Sequence, residues 1–207
     1  IDTHYRLCYD ALIAGQHVFA EKPLTLVPGQ AAELAALARN KGLVLVTDYT
    51  NTFSPGLGKA VAIVQAGGIG NIQQIHISWE QSGRFNDYDV YALLGSHALS
   101  ILNMFIPLSR CHFSLHPKIL TNRRVTEADI TFLDQEDRAS GIIEISLHSP
   151  RKKREVIVKG QKGAIIFSQV ESPVLKKGFY DRRKMFHVEE SSDFDEANNV
   201  ARGIKFF

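Results

Sequence analysis

An alternation of helix-type and strand-type segments near the start of the chain constrains its fold more than any other feature. Helical patterns rich in alanine and leucine end at glycines, and each is followed by a short apolar run. The segments are a helix over 4–14, a strand over 17–20, a helix over 28–41, a strand over 43–47 and a helix over 55–66. Strands that alternate with helices predict a parallel sheet with right-handed crossovers.

The carboxyl ends of the two predicted strands are candidate ligand positions, because open α/β sheets bind ligands there. Glu21-Lys22-Pro23 follows the first strand, and Asp48-Tyr49-Thr50 follows the second. A residue before proline is restricted to extended geometry. We therefore expect Lys22 to project from a stiff segment into the same cleft as the second loop.

Beyond residue 70, the sequence no longer alternates between helix and strand patterns. Ile75, Ile77 and Trp79 alternate with polar residues, as in a half-buried strand, and 91–105 has a helical pattern. Strand-like runs separated by short polar turns follow over 111–116, 129–134, 141–148, 154–160 and 163–168. Short turns indicate antiparallel neighbours. The sequence therefore predicts an α/β chain, with a parallel-sheet domain over 1–70 and an α+β domain over 71–207. The second domain should contain an open, largely antiparallel sheet of about five or six strands.

The segment from Ala11 to Leu24 resembles, nearly residue for residue, a segment of the Gfo/Idh/MocA family of NAD(P)-dependent oxidoreductases. Weaker similarity continues through Phe53-Ser54-Pro55 and Gly95-Ser96-His97. The resemblance implies that 1–70 is the C-terminal part of a doubly wound Rossmann sheet that binds a dinucleotide. It also implies that 71–207 binds the substrate and joins subunits of a homo-oligomer through its sheet.

The resemblance further implies site residues. Lys22 would hydrogen-bond the substrate oxygen on the carbon that exchanges hydride with NAD or NADP, and would stabilise charge there. His97 would carry the hydroxyl proton, since imidazole titrates near neutral pH. Glu21, Lys22 and Pro23 are the expected cofactor contacts. The implied substrate is a polyhydroxylated small molecule: a sugar, a cyclitol or a nucleotide-sugar.

The dinucleotide fingerprint G-x-G-x-x-G, which opens the proteins that the chain resembles, does not occur in the sequence. The pairs Gly56/Gly58 and Gly68/Gly70 are not followed by a third glycine at the required spacing. We therefore expect most of the cofactor domain to lie outside this sequence, and either NAD or NADP is compatible with it.

One position departs from the pattern of the resembled family. Many members carry an acidic residue four positions before the histidine, one helical turn away. This chain has Leu93 there, and Ser100 three positions after His97. Asp87 and Asp89 are candidates to replace the carboxylate. Leu93 favours the alternative function, a non-catalytic relative that acts as a ligand-binding, regulatory or assembly protein.

Composition and charge argue against several other classes. The sequence has 24 basic and 22 acidic residues, so no nucleic-acid partner is expected. The basic run 151–154 follows Pro150 and is interpreted as a solvated hairpin tip. No apolar run approaches the roughly 18 residues of a membrane span. Cys8 and Cys111 give no disulfide framework, which favours a reducing compartment and a cytoplasmic location.

No metal site is predicted. His112 and His116 are four residues apart, a spacing that could hold zinc on a helix. The alternation around them indicates a strand, however, in which residues four apart are separated by about 13 Å.

Overall fold

The computed structural model describes residues 1–82, 88–121, 123–136, 139–172 and 174–207. These residues form two compact units, one of Ile1–Phe53 with Asn198–Phe207 and the other of Ser54–Ala197. A parallel sheet in the first unit and a large, mostly antiparallel sheet in the second confirm the predicted fold class. The domain boundary at residue 70 stays a prediction.

The first unit begins with two helix–strand pairs. They are helix α1 (His4–Ile13), strand β1 (Val18–Glu21), helix α2 (Pro28–Asn40) and strand β2 (Leu45–Asp48), followed by a 3₁₀ turn (Thr50–Phe53). In the described part of this unit, β1 and β2 form a two-stranded parallel sheet from Val18↔Leu45 to Glu21↔Asp48. The carboxyl ends of the two strands therefore lie side by side, as the sequence predicts.

The helices of the first unit bury an apolar stripe against one face of this sheet. The buried residues of the cluster are Cys8, Leu12, Val18, Ala20, Leu34 and Ala38. The i, i+4 spacing of the helical members and the i, i+2 spacing of the strand members place them on single faces. Burial of this face holds β1 in position beneath α1 and α2.

The second unit consists of helices and a large set of strands. Its helices are α3 (Pro55–Gln65), a π-helical turn (Tyr91–Gly95), α4 (Ser96–Phe105) and a 3₁₀ turn (Leu108–Arg110). Its strands are β3 (Ile72–Ser82), β4 (Cys111–Thr121), β5 (Arg124–Asp134), β6 (Ser140–Ser146), β7 (His148–Gly160), β8 (Ala164–Ser168), β9 (Leu175–Tyr180) and β10 (Phe186–Ser192).

The described strands of the second unit form one eight-stranded sheet in the order β10-β9-β8-β7-β3-β6-β5-β4. β3 and β6 run parallel, and the other neighbouring pairs among the described residues are antiparallel. Leu94, Ala98, Ile101 and Leu102 pack the helical layer against the buried face of this sheet. The sheet has more strands than predicted, because β9 and β10 were not recognised in the sequence.

The predicted hairpin tip at 151–154 is wrong. These residues lie inside β7, which pairs with β3 and places Lys153 opposite Glu80 and Arg154 opposite Trp79. Arg154 is buried. Residues 151–154 are part of a strand because they pair with β3. Their positive charges therefore do not show that all four side chains are exposed.

Helix α5 (Asn199–Phe206) follows the second unit in the chain but belongs to the first. Phe207 packs edge-on against Phe19 of β1, with ring centroids 5.6 Å apart, and Phe206 packs against Phe53. The face of β1 opposite to α1 and α2 is therefore covered by the end of the chain.

Two further findings concern the predicted environment. Cys8 and Cys111 are free thiols. No helix within the described ranges is long and apolar enough to cross a membrane.

Candidate active site

Lys22 lies directly beyond β1, as the sequence predicts. The Lys22–Pro23 peptide bond is cis. His4, at the start of α1, contacts the carbonyl oxygen of Pro23 through Nδ1 at 2.8 Å. Because a carbonyl oxygen only accepts hydrogen bonds, His4 must carry its proton on Nδ1. His4 thus anchors the segment that contains Lys22. Sequence reasoning missed His4, since nothing around it distinguishes it from a helical surface residue.

Asp48 is the most unusual polar residue at the carboxyl edge of this small sheet. It is 1% exposed, and its Oδ1 atom has no hydrogen-bond partner among the described residues. Burial raises the pKa of Asp48, and the charge of Glu21 beside it raises this pKa further, while a hydrogen bond with Thr50 opposes the change. Asp48 therefore keeps its proton to a higher pH than a free carboxyl group does, and the protonated form can donate as well as accept a hydrogen bond.

The residues after Asp48 form a compact polar turn. The Thr52 hydroxyl donates to the Tyr49 carbonyl at 2.8 Å, and Asn51 is buried. Burial raises the pKa of the Tyr49 phenol. Together with Glu21 and Lys22, this turn gives the carboxyl edge a polar surface. Oδ1 of Asp48 thus remains without a hydrogen-bond donor among the described residues at this edge.

His97 lies in the second unit, in the first turn of α4. The Ser100 hydroxyl donates to the His97 carbonyl at 2.7 Å, and the Ser96 hydroxyl donates to the Ala92 carbonyl at 2.8 Å. The π-helical turn Tyr91–Gly95 immediately precedes the histidine. Such turns are frequent at functional sites. The sequence predicted a helix here but gave no sign of the π turn.

The structure also shows what occupies the position of the expected carboxylate. Leu93 packs, partly buried, against the hydrophobic core of the second unit. Asp89 accepts a hydrogen bond from the backbone N–H of Val125 at 2.5 Å, so its carboxylate holds the start of β5. Asp87, the other candidate, lies outside the described residues. The hydroxyl of Ser100 is directed to the helix backbone.

The first 50 residues contain a recognisable family segment. Residues 2–49 match the family model GFO_IDH_MocA, an oxidoreductase family with an NAD-binding Rossmann fold. The match includes β1, β2 and the Glu21-Lys22-Pro23 segment. This segment of the chain is similar to the NAD-binding domain of that family.

Curated relatives match the chain over stretches of different length. The Escherichia coli uncharacterized oxidoreductase YdgJ is 52% identical over 44 residues, which cover 21% of this chain and 13% of that protein. The dTDP-3,4-didehydro-2,6-dideoxy-alpha-D-glucose 3-reductase of Streptomyces violaceoruber is 41% identical over 69 residues, 33% of this chain and 20% of the relative. An uncharacterized oxidoreductase of Schizosaccharomyces pombe is 27% identical over 80% of this chain and 49% of its own length. The chain thus spans half or less of these relatives.

Solved structures share the fold over nearly the whole chain. A 3-ketoreductase from Actinomadura kijaniata, crystallised with NADP and TDP-benzene, has a TM-score of 0.82 at 20% identity, covering 99% of this chain and 66% of that one. An inositol dehydrogenase homolog from Azotobacter vinelandii, crystallised with NADH and myo-inositol, has a TM-score of 0.77 at 19% identity, covering 91% and 53%. At these identities, both likenesses show a shared fold.

Proposed function

We propose that this protein is an NAD(P)-dependent oxidoreductase that transfers hydride between the nicotinamide and a secondary alcohol or ketone. The proposed substrate is a sugar, a cyclitol or a nucleotide-sugar. The observation that carries the proposal is the position of Lys22 directly beyond a parallel strand, inside the family segment 2–49. Relatives named for a dTDP-sugar and for inositol support a polyhydroxylated substrate.

The proposed roles follow from the chemistry of each side chain. Lys22 donates a hydrogen bond to the reacting oxygen of the substrate and stabilises negative charge that develops on it. His97 takes up or returns the hydroxyl proton. Glu21, Lys22 and Pro23 contact the cofactor, which supplies or accepts the hydride when bound. The anchor from His4 to the Pro23 carbonyl limits the freedom of this segment and so keeps Lys22 oriented.

A non-catalytic relative is the second candidate function. It is favoured by Leu93, which packs against the core where the family pattern has a carboxylate. The engagement of Asp89 with Val125 also favours it, because that carboxylate is already committed to the backbone of β5. In this case the same fold would bind a ligand or a partner without turnover.

Steady-state kinetics with NAD and NADP across a panel of sugars, cyclitols and nucleotide-sugars tests the proposal. We expect Lys22→Ala to lower kcat by about 10²–10³, because one preorganised donor to the reacting oxygen is lost. The affinity of Lys22→Ala for the cofactor should stay nearly unchanged, because most contacts to the dinucleotide are expected from other residues. Lys41→Ala is the matched control, since Lys41 is an exposed lysine of the same unit that contacts only the Ile13 carbonyl among its described hydrogen bonds. Absence of turnover with every substrate, or wild-type turnover in Lys22→Ala, would favour the non-catalytic relative.

We further propose that the protein is a homo-oligomer that assembles through the sheet of the second unit. On the face opposite to the helices, Ile142, Ile157 and Ile166 lie in one cross-strand row with His76. All three isoleucines are partly exposed. A partly exposed apolar row on a sheet face fits a contact with a second copy of the chain.

A further inference from the structure

Arg154 is a buried cation on the helix-facing side of the second-unit sheet. It lies opposite Trp79 across the β3–β7 ladder and is 8% exposed. The guanidinium carbon stands over the indole ring of Trp79, 4.9 Å from its centroid. Trp79 itself is 2% exposed. The cation–π contact therefore fixes the plane of the guanidinium over a rigid aromatic surface.

All described hydrogen bonds of Arg154 go to neutral acceptors. Nη1 donates to the carbonyl oxygens of Glu80 at 2.8 Å and Lys153 at 3.1 Å, and Nη2 donates to Oε1 of Gln81 at 2.5 Å. These bonds use at most three of the five N–H groups of a guanidinium. At least two N–H groups are thus left for another acceptor.

Arg154 forms no ion pair with the described residues, although the charge of Glu80 acts on it from nearby. By contrast, Arg110 in the same unit is paired with Asp134 at 2.5 Å and Glu136 at 2.9 Å. Burial lowers the pKa of Arg154 to about 10, although the charge of Glu80 opposes this change. The guanidinium therefore remains charged at neutral pH. A buried charge without an ion pair is costly, and an anionic ligand would remove that cost.

We propose that Arg154, held by Trp79 and Gln81, is a binding site for an anionic group of a small-molecule ligand, either a phosphate or a carboxylate. The planar guanidinium offers paired N–H groups to both kinds of oxyanion. Resting on the proposed function, this site narrows the substrate class to an acidic sugar or a sugar carrying a phosphate.

The fluorescence of Trp79 tests the site directly, because Trp79 is the single tryptophan of the sequence. The intact chain is titrated with sodium pyrophosphate, sodium glucuronate and neutral glucose at constant ionic strength. We expect at least one anion to change the fluorescence in a saturable manner, and glucose to have no such effect. Saturation by pyrophosphate identifies a phosphate site, and saturation by glucuronate identifies a carboxylate site. If neither anion saturates, or if glucose acts as the anions do, the proposal is overturned.

Variants of Arg154 provide the second arm, with affinities measured by calorimetry. Arg154→Met should weaken anion binding at least about tenfold, because the charge-assisted hydrogen bonds are lost. Arg154→Lys keeps the charge without the planar fork and should weaken it less. Arg151→Met is the matched control, an exposed arginine of the same strand, and should bind as the wild type does.

Thermal unfolding shows which of these variants are folded. An unchanged dissociation constant in folded Arg154→Met overturns the proposal and makes Arg154 a structural strap. If Arg154→Met is unfolded, the anion affinities of Arg154→Lys and Arg151→Met are compared instead. Equal anion affinities of these two variants overturn the proposal. None of these measurements uses a nicotinamide cofactor. A protein without hydride transfer that still binds anions at Arg154 would therefore refute the proposed function alone.

Discussion

Asp48 makes the stability of the first unit depend on pH. Burial and the neighbouring charge of Glu21 raise its pKa in the folded protein above the ordinary value of 3.8. The folded state therefore holds this proton more tightly than the unfolded state. The resulting stabilisation is fully present below the ordinary pKa and is lost as the pH rises through the raised folded pKa.

Asp48→Asn should remove this pH dependence. At pH 7 the variant no longer buries an ionised carboxylate, so we expect a gain of about 1 kcal/mol, or a few degrees in Tm. Thermal unfolding of the intact protein between pH 4 and 8 measures the effect. Asp10→Asn, an exposed carboxylate that pairs with Arg6, is the control and should leave the slope unchanged. A loss of stability in Asp48→Asn at pH 7 would show that the ionised carboxylate has a partner that it needs.

His97→Ala should reduce kcat by about 10², the lower end of general acid–base effects, because water can partly replace the imidazole. If His97 carries the proton, the part of the pH dependence of kcat that this proton transfer causes should disappear in the same variant. The control is His116→Ala, since His116 lies exposed on β4 and contacts Thr131. An unaltered pH–rate profile in His97→Ala would remove the proposed proton-transfer role.

Single residues differ in how far the sequence reveals them. Lys22 was predicted to follow β1 because a strand pattern, a proline and the family segment all point to that position. The burial of Asp48 and Arg154 was not predictable, because it depends on the segments that fold over them. The anchor from His4 to the Pro23 carbonyl is likewise a tertiary contact, between residues 19 positions apart.

At the level of elements, Gly141 sets how closely β3 and β6 approach. A Cβ at this position would lie 1.9 Å from the carbonyl oxygen of Ile75 and 2.6 Å from the ring of Phe132. Gly141→Ala should therefore destabilise the protein by about 3 kcal/mol or more, since neither the backbone nor a packed ring can move away cheaply.

Urea unfolding measures this loss, and Gly58→Ala provides the matched control. Gly58 lies inside α3, and a Cβ there would meet no atom within 4 Å. The control should be stabilised by about 0.5–1 kcal/mol, because alanine favours a helix over glycine. Equal effects of the two substitutions would contradict the close approach of β3 and β6.

The helices and the parallel strands were predictable because each carries a complete local pattern. α3, for example, has Ser54 as its N-cap, and the Ser54 side chain accepts a hydrogen bond from the Leu57 N–H at 3.0 Å. β9 and β10 lack such a pattern. Lys177 forms ion pairs with Glu189 and Glu190 across these two strands, so their pairing depends on charges that suggest a loop. These charged residues are recognised as part of a sheet only from the pairing of β9 with β8 and with β10.

At the scale of the whole molecule, the proposed homo-oligomer depends on the open face of the large sheet. Ile157→Glu places a charge in the middle of the isoleucine row and should shift the protein towards the monomer at a given concentration. Sedimentation velocity over a range of concentrations measures this shift. Gln161→Glu adds the same charge in the exposed turn after β7 and should leave assembly unchanged. A wild-type protein that is monomeric at every concentration would refute the proposed assembly.

The return of α5 to the first unit ties the two ends of the chain together. Gly203 faces the aromatic residues beneath it so closely that a Cβ would lie 2.7 Å from the Phe53 ring and 3.3 Å from Phe19. Phe19 belongs to the strand that precedes Lys22. A side chain larger than glycine at position 203 would clash with these rings, so it requires a smaller residue at position 19 or 53. Position 203 should therefore co-vary with positions 19 and 53, which lie 184 and 150 residues earlier, among related sequences.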